Sequence, residues 1–257
     1  MRRTAFGLLA AAALAALAIA AGACHHGIRE DPILRLSAAE ALEQGKALMA
    51  DEKYAKARRL LSHAFEVEPN SLSGREALLL LADSYYLDGG DANHIQAEAK
   101  YRDFLNRFPT SAQAAYAQYQ IANSLAERME KPDRDQSATA KALEAYNELL
   151  RLYPGSEYVA AAKDRLRAVR DNLAEHEFVV GRFYLNLRVP GSAVVRLERL
   201  VSEYPEYSRL DKALFYLGLA YSRTRQLDDA GKAAATFERL RKEFPDSPYL
   251  EEIPKES

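Results

Sequence analysis

The chain has 257 residues and a formal net charge of −2 at pH 7. Because the charge is nearly balanced and no cluster of Lys and Arg is interleaved with aromatic residues, we do not expect the protein to bind nucleic acid. Residues that favour helices dominate, and the 12 Gly and 10 Pro stand at intervals, which is typical of a helical protein with regular turns.

The first 23 residues have the pattern of a lipoprotein signal peptide. Arg2 and Arg3 precede an apolar run over residues 5–20, and the small residues 21–23 supply a cleavage site. Cys24 follows directly and is the only cysteine, so no internal disulfide can form. Small residues before a Cys resemble the bacterial lipobox, in which the thiol receives a diacylglycerol, and we therefore expect a covalent lipid on Cys24. An uncleaved N-terminal anchor and an ordinary cleavage that leaves a free thiol are the alternatives.

Residues 24–36 are polar, include Gly27 and Pro32, and are predicted to form a lipid-anchored tether. The residue after Cys24 is His25, and not the Asp that resembles an inner-membrane retention signal. We therefore expect the lipid to hold the protein at the periplasmic face of the outer membrane.

An apolar or aromatic residue stands close before a proline at the end of five successive segments. These prolines are Pro69, Pro109, Pro154, Pro205 and Pro245. Because proline cannot continue a helix, each of them predicts a helix end and a turn. In the first segment Gly45, Ala57 and Ala64 have the spacing of the 34-residue tetratricopeptide repeat (TPR), and Gly181 and Ala193 have it in the fourth. The pattern predicts an all-α fold, a right-handed α-solenoid of about five TPR helix hairpins.

The other three copies need insertions, which we expect in the turns between helices. They fall at residues 88–94 in the second copy and 128–139 in the third, and the fifth copy is slightly longer between its helices. Residues 157–172 have a continuous helical pattern and are predicted to run into the fourth repeat as one long linking helix. The predicted parts are the signal peptide (1–23), the tether (24–36), N-terminal TPRs 1–3 (37–155), C-terminal TPRs 4–5 with the linking helix (156–250) and a tail (251–257).

The sequence carries no pattern of a reactive centre. The five histidines form no His-Glu-x-x-His pair and have no Cys partner, so we expect no metal site. Gly89-Gly90 opens a turn and is not a phosphate-binding loop, and no Gly-x-Ser-x-Gly elbow is present. We therefore predict no catalytic residue, no enzymatic activity and no cofactor apart from the lipid on Cys24.

The first helix of each TPR lines the concave side of an array, so its non-core positions are the candidates for a binding groove. In the three N-terminal repeats these positions are Leu42, Lys46, Met49, Leu79, Asp83, Tyr86, Tyr116, Tyr119 and Asn123. The set is partly aromatic with few charges, which would suit an extended peptide with aromatic side chains. The alternative is that Tyr86, Tyr116 and Tyr119 pack between repeats.

One stretch of the chain carries more specific motifs than a TPR framework. Asp133-Arg134-Asp135 is followed by residues 152–158 (LYPGSEY), 161–166 (AAKDRL) and 171–177 (DNLAEHE). In these motifs the chain resembles the BamD family, the outer-membrane lipoproteins of the β-barrel assembly machinery. The resemblance runs from Cys24 to about residue 249. It departs at residues 187–191 (LRVPG), where the family usually has a short Arg-Gly-aromatic turn.

The resemblance implies a non-catalytic role in folding and inserting β-barrel proteins. In that family the C-terminal repeats dock on the periplasmic POTRA part of BamA, and the arginine that matches Arg196 lies in the contact region. The N-terminal repeats are proposed to receive the aromatic-ended targeting signal of unfolded outer-membrane proteins. Other lipoproteins of the assembly machinery are further expected partners.

Two other functions stay open from the residues alone. Another TPR lipoprotein scaffold, such as a pilotin or an envelope or cell-division coordinator, would have the same repeats and the same anchor. A periplasmic hydrolase would need a pair of carboxylates or a nucleophile, and the sequence offers no such site.

Overall fold

The computed structural model describes residues 31–224 and 229–254, and the chain divides into two units, residues 1–37 and 38–257. The predicted signal peptide (1–23) and lipid site (Cys24) lie outside the described residues. In the first unit, Pro32–Arg35 forms a 3-10 turn. The carboxylate of Asp31 caps this turn by accepting a hydrogen bond from the backbone N–H of Ile33 at 3.1 Å.

The second unit contains ten α-helices and, over the residues described, no strand. Consecutive helices pack against each other in chain order as five helix hairpins, which confirms the predicted all-α TPR solenoid. The helices are α1 (Ala38–Ala50), α2 (Tyr54–Val67), α3 (Leu72–Asp88), α4 (Asp91–Arg107), α5 (Ala114–Ala126), α6 (Ser137–Leu152), α7 (Val159–Asn186), α8 (Pro190–Glu203), α9 (Leu210–Arg223) and α10 (Asp229–Glu243).

Every hairpin ends two residues before one of the five prolines, as predicted. The residue that precedes each of the first four prolines has nearly the same backbone geometry, with φ from −139° to −129° and ψ from 54° to 69°. In all five turns the carbonyl of this residue accepts a hydrogen bond from the N–H three residues further on, at 3.0 to 3.1 Å. The proline thus ends each hairpin in the same way, because the residue before it is kept out of the helical region.

Small residues let the two helices of a hairpin approach closely. A Cβ atom added to Gly45 would lie 2.7 Å from Cδ2 of Leu61 across the first hairpin. A Cβ atom on Gly181 would lie 2.8 Å from Cγ of Leu197 across the fourth. The two glycines predicted from the repeat spacing therefore occupy equivalent helix contacts, where any larger residue would force the helices apart.

The second repeat accommodates its extra residues differently from the prediction. Its helices α3 and α4 have 17 residues each, and the turn between them is only Gly89 and Gly90, with φ of 73° and 82°. Glycine adopts such positive φ angles without a steric cost, so two residues are enough to reverse the chain. The prediction of a longer turn over residues 88–94 is therefore corrected, since residues 91–94 form the first turn of α4.

The insertion of the third repeat is a loop over residues 127–136, and it is anchored to α7. Nδ1 of His176 lies 2.6 Å from the carbonyl oxygen of Pro132, and Nδ2 of Asn172 donates to the carbonyl oxygen of Glu130 at 3.2 Å. The Asp133-Arg134-Asp135 motif lies in this loop. The motif and the linking helix are therefore parts of one local structure.

Helix α7 has 28 residues and confirms the predicted linking helix. Ala162 and Val169 are buried on the predicted face, and Val159 and Leu166 are half-buried. The second half of α7, which contains Gly181, forms the fourth hairpin with α8. One helix thus joins the third hairpin to the fourth without a break.

Candidate functional site

The nine predicted groove residues lie on α1, α3 and α5, the first helices of the three N-terminal hairpins. Leu42 is 4% exposed and Asn123 is 5% exposed, so both belong to the core. The ammonium of Lys46 is paired with Glu43 at 3.0 Å and with Glu76 at 2.8 Å. The other six, Met49, Leu79, Asp83, Tyr86, Tyr116 and Tyr119, are half-buried. The prediction that Leu42 and Asn123 line a groove is therefore wrong, because helical periodicity does not show which neighbours cover a position.

Asp83 is the polar centre of this region. Its Oδ1 accepts a hydrogen bond from the Tyr101 hydroxyl of α4 at 2.5 Å and from the Tyr116 hydroxyl of α5 at 2.8 Å. Tyr101 belongs to the same hairpin as Asp83, whereas Tyr116 belongs to the next one. One carboxylate oxygen therefore ties the second repeat to the third.

The electrostatics of these three groups agree with that arrangement. Burial raises the pKa of the Asp83 carboxyl, and donation from the two tyrosines opposes this shift. Burial also raises the pKa of Tyr101 and Tyr116 above the usual range, and the negative charge of Asp83 adds to the shift. Both hydroxyls consequently stay protonated and serve as donors to the carboxylate.

The hydrogen-bonded chain continues through the third repeat. Nε2 of Gln120 donates to the Tyr116 hydroxyl at 3.0 Å, and Nδ2 of Asn123 donates to Oε1 of Gln120 at 2.7 Å. The hydroxyl of Tyr146 on α6 donates to Oδ1 of Asn123 at 2.6 Å. Asn123 is thus a buried link of this network, which explains why a polar residue occupies a core position.

Aromatic side chains surround the polar chain. The Tyr158 ring, just before α7, stacks on Tyr119 with centroids 5.3 Å apart and an interplanar angle of 18°, and it lies 5.7 Å from the Tyr116 ring. Tyr86 lies 5.5 Å from the ring of His94 within its own hairpin. Tyr116 and Tyr119 therefore pack between α5 and the start of the linking helix while part of each ring remains exposed.

A charged pair lies close to these tyrosines. Arg165 of α7 is paired with Glu127 at 3.4 Å, and more than a third of each side chain is exposed. Burial raises the pKa of Tyr86, the negative charge of Glu127 adds to this shift, and the positive charge of Arg165 opposes it. The region thus combines half-buried aromatic rings, a satisfied polar interior and an exposed charged edge.

Sequence reasoning missed four members of this site: Tyr101, Gln120, Tyr146 and Tyr158. Tyr101 lies on α4 and Tyr146 on α6, the second helices of their hairpins, and both rings lie in the core. Their hydroxyls reach the neighbouring first helices, which repeat spacing does not show. Tyr158 is the last residue of the LYPGSEY motif. Its position directly before a long helix is the sequence feature from which its place in this site could have been inferred.

Arg196, the predicted partner-binding residue, is not a free surface cation. Its guanidinium is 3.1 Å from Oε2 of Glu177 on α7, and the side chain is 36% exposed. Glu177 is only 6% exposed, and Arg199 contacts its other oxygen at 3.4 Å. The two arginines thus share one buried carboxylate, which fixes their direction on the surface of the fourth hairpin.

Large apolar side chains are exposed on the same hairpin. Phe183 of α7 and Leu187, directly after α7, are each 56% exposed, Val189 of the turn is 43% exposed, and Val195 of α8 is 64% exposed. Phe183 lies in the last turn of α7, and Leu187 is its C-cap residue. A hairpin that carries both exposed apolar side chains and oriented arginines has the composition of a protein-binding surface.

Within residues 31–224 and 229–254, no group of three His, Cys, Asp or Glu side chains could hold a metal ion. None of the helices in these ranges combines the length and the apolar character that a membrane span requires.

The sequence profile of the YfiO family, described as "Outer membrane lipoprotein", matches residues 35–232. The chain belongs to the YfiO family of outer membrane lipoproteins. The match covers the first four hairpins, including Asp83, Tyr158 and Arg196.

Curated relatives agree with the YfiO family. A protein of Rickettsia prowazekii named "Outer membrane protein assembly factor BamD" is 28% identical over 74% of this chain and 74% of the relative. A protein of the same name from Neisseria gonorrhoeae is 29% identical over 71% of this chain and 70% of the relative. The protein of that name from Haemophilus influenzae is 25% identical over 94% of this chain and 95% of the relative. A solved TPR protein of Thermus thermophilus is 18% identical over 83% of this chain and 95% of that chain, with a TM-score of 0.36.

Membership of the YfiO family, whose members are non-catalytic scaffolds, means that this chain is not an enzyme. Its functional residues are therefore those that contact other molecules. The half-buried aromatic site of the N-terminal repeats and the exposed surface of the fourth hairpin are the two regions to consider.

Proposed function

We propose that this member of the YfiO family is a subunit of the outer-membrane β-barrel assembly complex, held at the periplasmic face of the membrane by a lipid on Cys24. The observation that carries the proposal is the family match over residues 35–232, together with the assembly-factor name that the relatives share. Other lipoproteins of the complex are partners in this proposal. Purification of the complex from membranes tests it: recovery of BamA supports it, and recovery of a secretin without BamA overturns it.

The C-terminal repeats bind BamA through the surface of the fourth hairpin. Arg196 is partly exposed and is oriented by Glu177, and the exposed side chains of Phe183 and Leu187 lie at the C-terminal end of α7 in the same hairpin. An oriented cation beside apolar side chains gives an interface both its direction and its buried area.

A pair of matched variants tests the role of Arg196. Arg196→Gln and Arg199→Gln each leave Glu177 with one arginine, and Arg199→Gln also removes the exposed pair with Glu203 at 3.1 Å, which contributes little to stability. We expect Arg196→Gln to weaken BamA binding about tenfold, as for loss of one charge-assisted contact, and Arg199→Gln to weaken it much less. Equal losses of BamA binding and equal losses of thermal stability in the two variants would mean that Arg196 acts only through the fold.

The N-terminal repeats bind the aromatic-ended targeting signals of unfolded outer-membrane proteins. The supporting observation is the partly exposed aromatic surface of Tyr86, Tyr119 and Tyr158, with Arg165 at its edge. Apolar rings on that surface would receive the aromatic side chains of an extended peptide.

Binding of a synthetic peptide that ends in a phenylalanine carboxylate tests this part. We expect Tyr119→Ala and Tyr158→Ala each to weaken binding by about tenfold, since an aromatic contact contributes about 0.5–1.5 kcal/mol beyond its buried area. Tyr54→Ala on α2, the second helix of the first hairpin, is the control and should leave the affinity unchanged. If all three substitutions weaken binding equally, the peptide does not bind at this surface.

The lipid on Cys24 is tested by Cys24→Ser, which removes the thiol and should release the protein into the soluble periplasmic fraction. Retention of Cys24→Ser protein in membranes, with the apolar N-terminal residues still present in its mass spectrum, would indicate an uncleaved anchor instead.

A further inference from the structure

Two cations of the C-terminal repeats share one aromatic ring. The guanidinium carbon of Arg182 on α7 lies 5.6 Å from the centroid of the Phe178 ring, and the ammonium of Lys212 on α9 lies 4.2 Å from the same centroid. Phe178 is fully buried, and Tyr216 packs edge-on against it at 5.2 Å. The ring therefore holds cations from the first helices of two successive repeats near one another.

Neither cation has a carboxylate partner. Among the residues that the structure describes, no Asp or Glu oxygen lies within 4.0 Å of Arg182 or Lys212. Burial lowers the pKa of Lys212 and the positive charges of Arg209 and Arg182 lower it further, while the negative charges of Glu175 and Asp211 oppose part of the shift. The fold thus keeps two like charges close together at a cost, which an anion would remove.

The neighbouring arginines differ from this pair because each already forms an ion pair. Arg209 is paired with Glu175, and Arg196 and Arg199 share Glu177. Around the Phe178 ring, the cations without an ion pair are therefore Arg182 and Lys212, which stand as a pair and not as part of a broad basic cluster. Such a confined site matches a single carboxylate better than the many phosphates of a polyanion or a bilayer surface.

We propose that Arg182 and Lys212 form a carboxylate-binding site for an acidic side chain in an extended segment of a protein partner. Arg182 offers a planar set of N–H donors, and Lys212 offers a point charge from the next repeat. The ring of Tyr216 provides an apolar neighbour for the flanking residues of that segment. The site is independent of Arg196 and of the aromatic surface of the N-terminal repeats, so it does not depend on which assembly the protein serves.

Fluorescence anisotropy with two rhodamine-labelled peptides tests the proposal on the full chain in a non-ionic detergent. One peptide carries two adjacent aspartates between phenylalanines, and the other carries asparagines in their place. We expect the aspartate peptide to bind about tenfold more tightly, because a hydrogen bond to a charged group is worth about one order of magnitude in affinity. Equal affinities for the two peptides would overturn the proposal.

Substitutions assign the binding to the two cations. Arg182→Gln and Lys212→Gln should each raise the Kd of the aspartate peptide about tenfold, since each removes one charged donor. Lys212→Arg keeps the charge and should keep the affinity, which separates loss of charge from loss of fold. Arg151→Gln on α6 is the matched control, because its exposed cation is already paired with Glu148 at 3.8 Å. If the double variant Arg182→Gln with Lys212→Gln binds the aspartate peptide with unchanged affinity, the proposal is overturned.

Two further probes separate other anions from a protein carboxylate. Inorganic phosphate and vesicles of phosphatidylethanolamine with phosphatidylglycerol should compete only weakly for the aspartate peptide. Vesicle binding that depends on both cations, with no preference for the aspartate peptide, would make this a lipid site and overturn the proposal as stated.

Discussion

Removing the carboxylate of Asp83 should weaken the junction between the second and third repeats. In Asp83→Ala, the hydroxyls of Tyr101 and Tyr116 lose the oxygen to which both donate. Tyr101 is fully buried and cannot replace that acceptor with water, whereas Tyr116 is half-buried and can. A stranded buried hydroxyl costs about 1–3 kcal/mol, and relief of the buried charge returns part of this.

We therefore expect a net loss of about 2 kcal/mol, which corresponds to a fall in Tm of about 4–8 °C for a domain of this size. The assay is thermal unfolding followed by circular dichroism at 222 nm. The double variant Asp83→Ala with Tyr101→Phe completes a mutant cycle, and since it removes both partners it should be less destabilised than the sum of the single variants by about 1–2 kcal/mol. Additive effects would refute the coupling of these two residues.

Three other outcomes are expected. Burial raises the pKa of Asp83 in the folded state, so its contribution to stability is present below the unfolded pKa of about 3.9 and is lost as pH rises through the folded pKa. The difference in Tm between wild type and Asp83→Asn should therefore favour wild type more at pH 4 than at pH 7. A Tm difference that does not change with pH would contradict this. Gly218→Ala should destabilise the fifth hairpin by about 1–3 kcal/mol, because the added Cβ would lie 2.4 Å from Cε1 of Phe237. A Cβ added at Gly155 would have no atom within 4 Å, so Gly155→Ala should leave the stability unchanged. His176→Ala removes the contact with Pro132 and should speed amide exchange in residues 127–136 while the exchange of α3 and α4 stays unchanged; equal protection in both proteins would mean that other contacts hold the loop.

Features that depend on local chemistry could be predicted from the sequence. Each proline restricts the residue before it, so the ends of the five hairpins follow from neighbours in the chain. The contact of Gly45 with Leu61 follows from spacing within one repeat, as does that of Gly181 with Leu197. The long helix α7 follows from an uninterrupted helical pattern.

Features that depend on pairing between distant residues could not be predicted. Asp83 meets Tyr101 and Tyr116, which are 18 and 33 residues away, and spacing alone gives no reason to pair them. The pattern around Arg196 is that of a solvated cation, because its partner Glu177 lies on another helix, 19 residues earlier. Helical periodicity assigns a residue to a face, but the partner on the opposing face decides whether that residue is core, ion pair or free surface.

A single position in each repeat distinguishes the fifth hairpin from the first four. Four residues before the proline, the first four repeats have Phe65, Leu105, Leu150 and Val201, and each of these side chains packs partly buried against the core. The fifth repeat has Arg241 there, exposed and paired with Glu238 at 3.4 Å. Solenoids need a polar outer face at their last repeat, because an apolar face without a following helix would drive association. The chain after α10 accordingly returns to α9, where Tyr249 stacks on Phe215 at 5.2 Å and Ser247 donates to Asp211 at 2.8 Å. The fifth hairpin thus has a polar residue where the first four have an apolar one, and the chain that follows α10 packs back on α9.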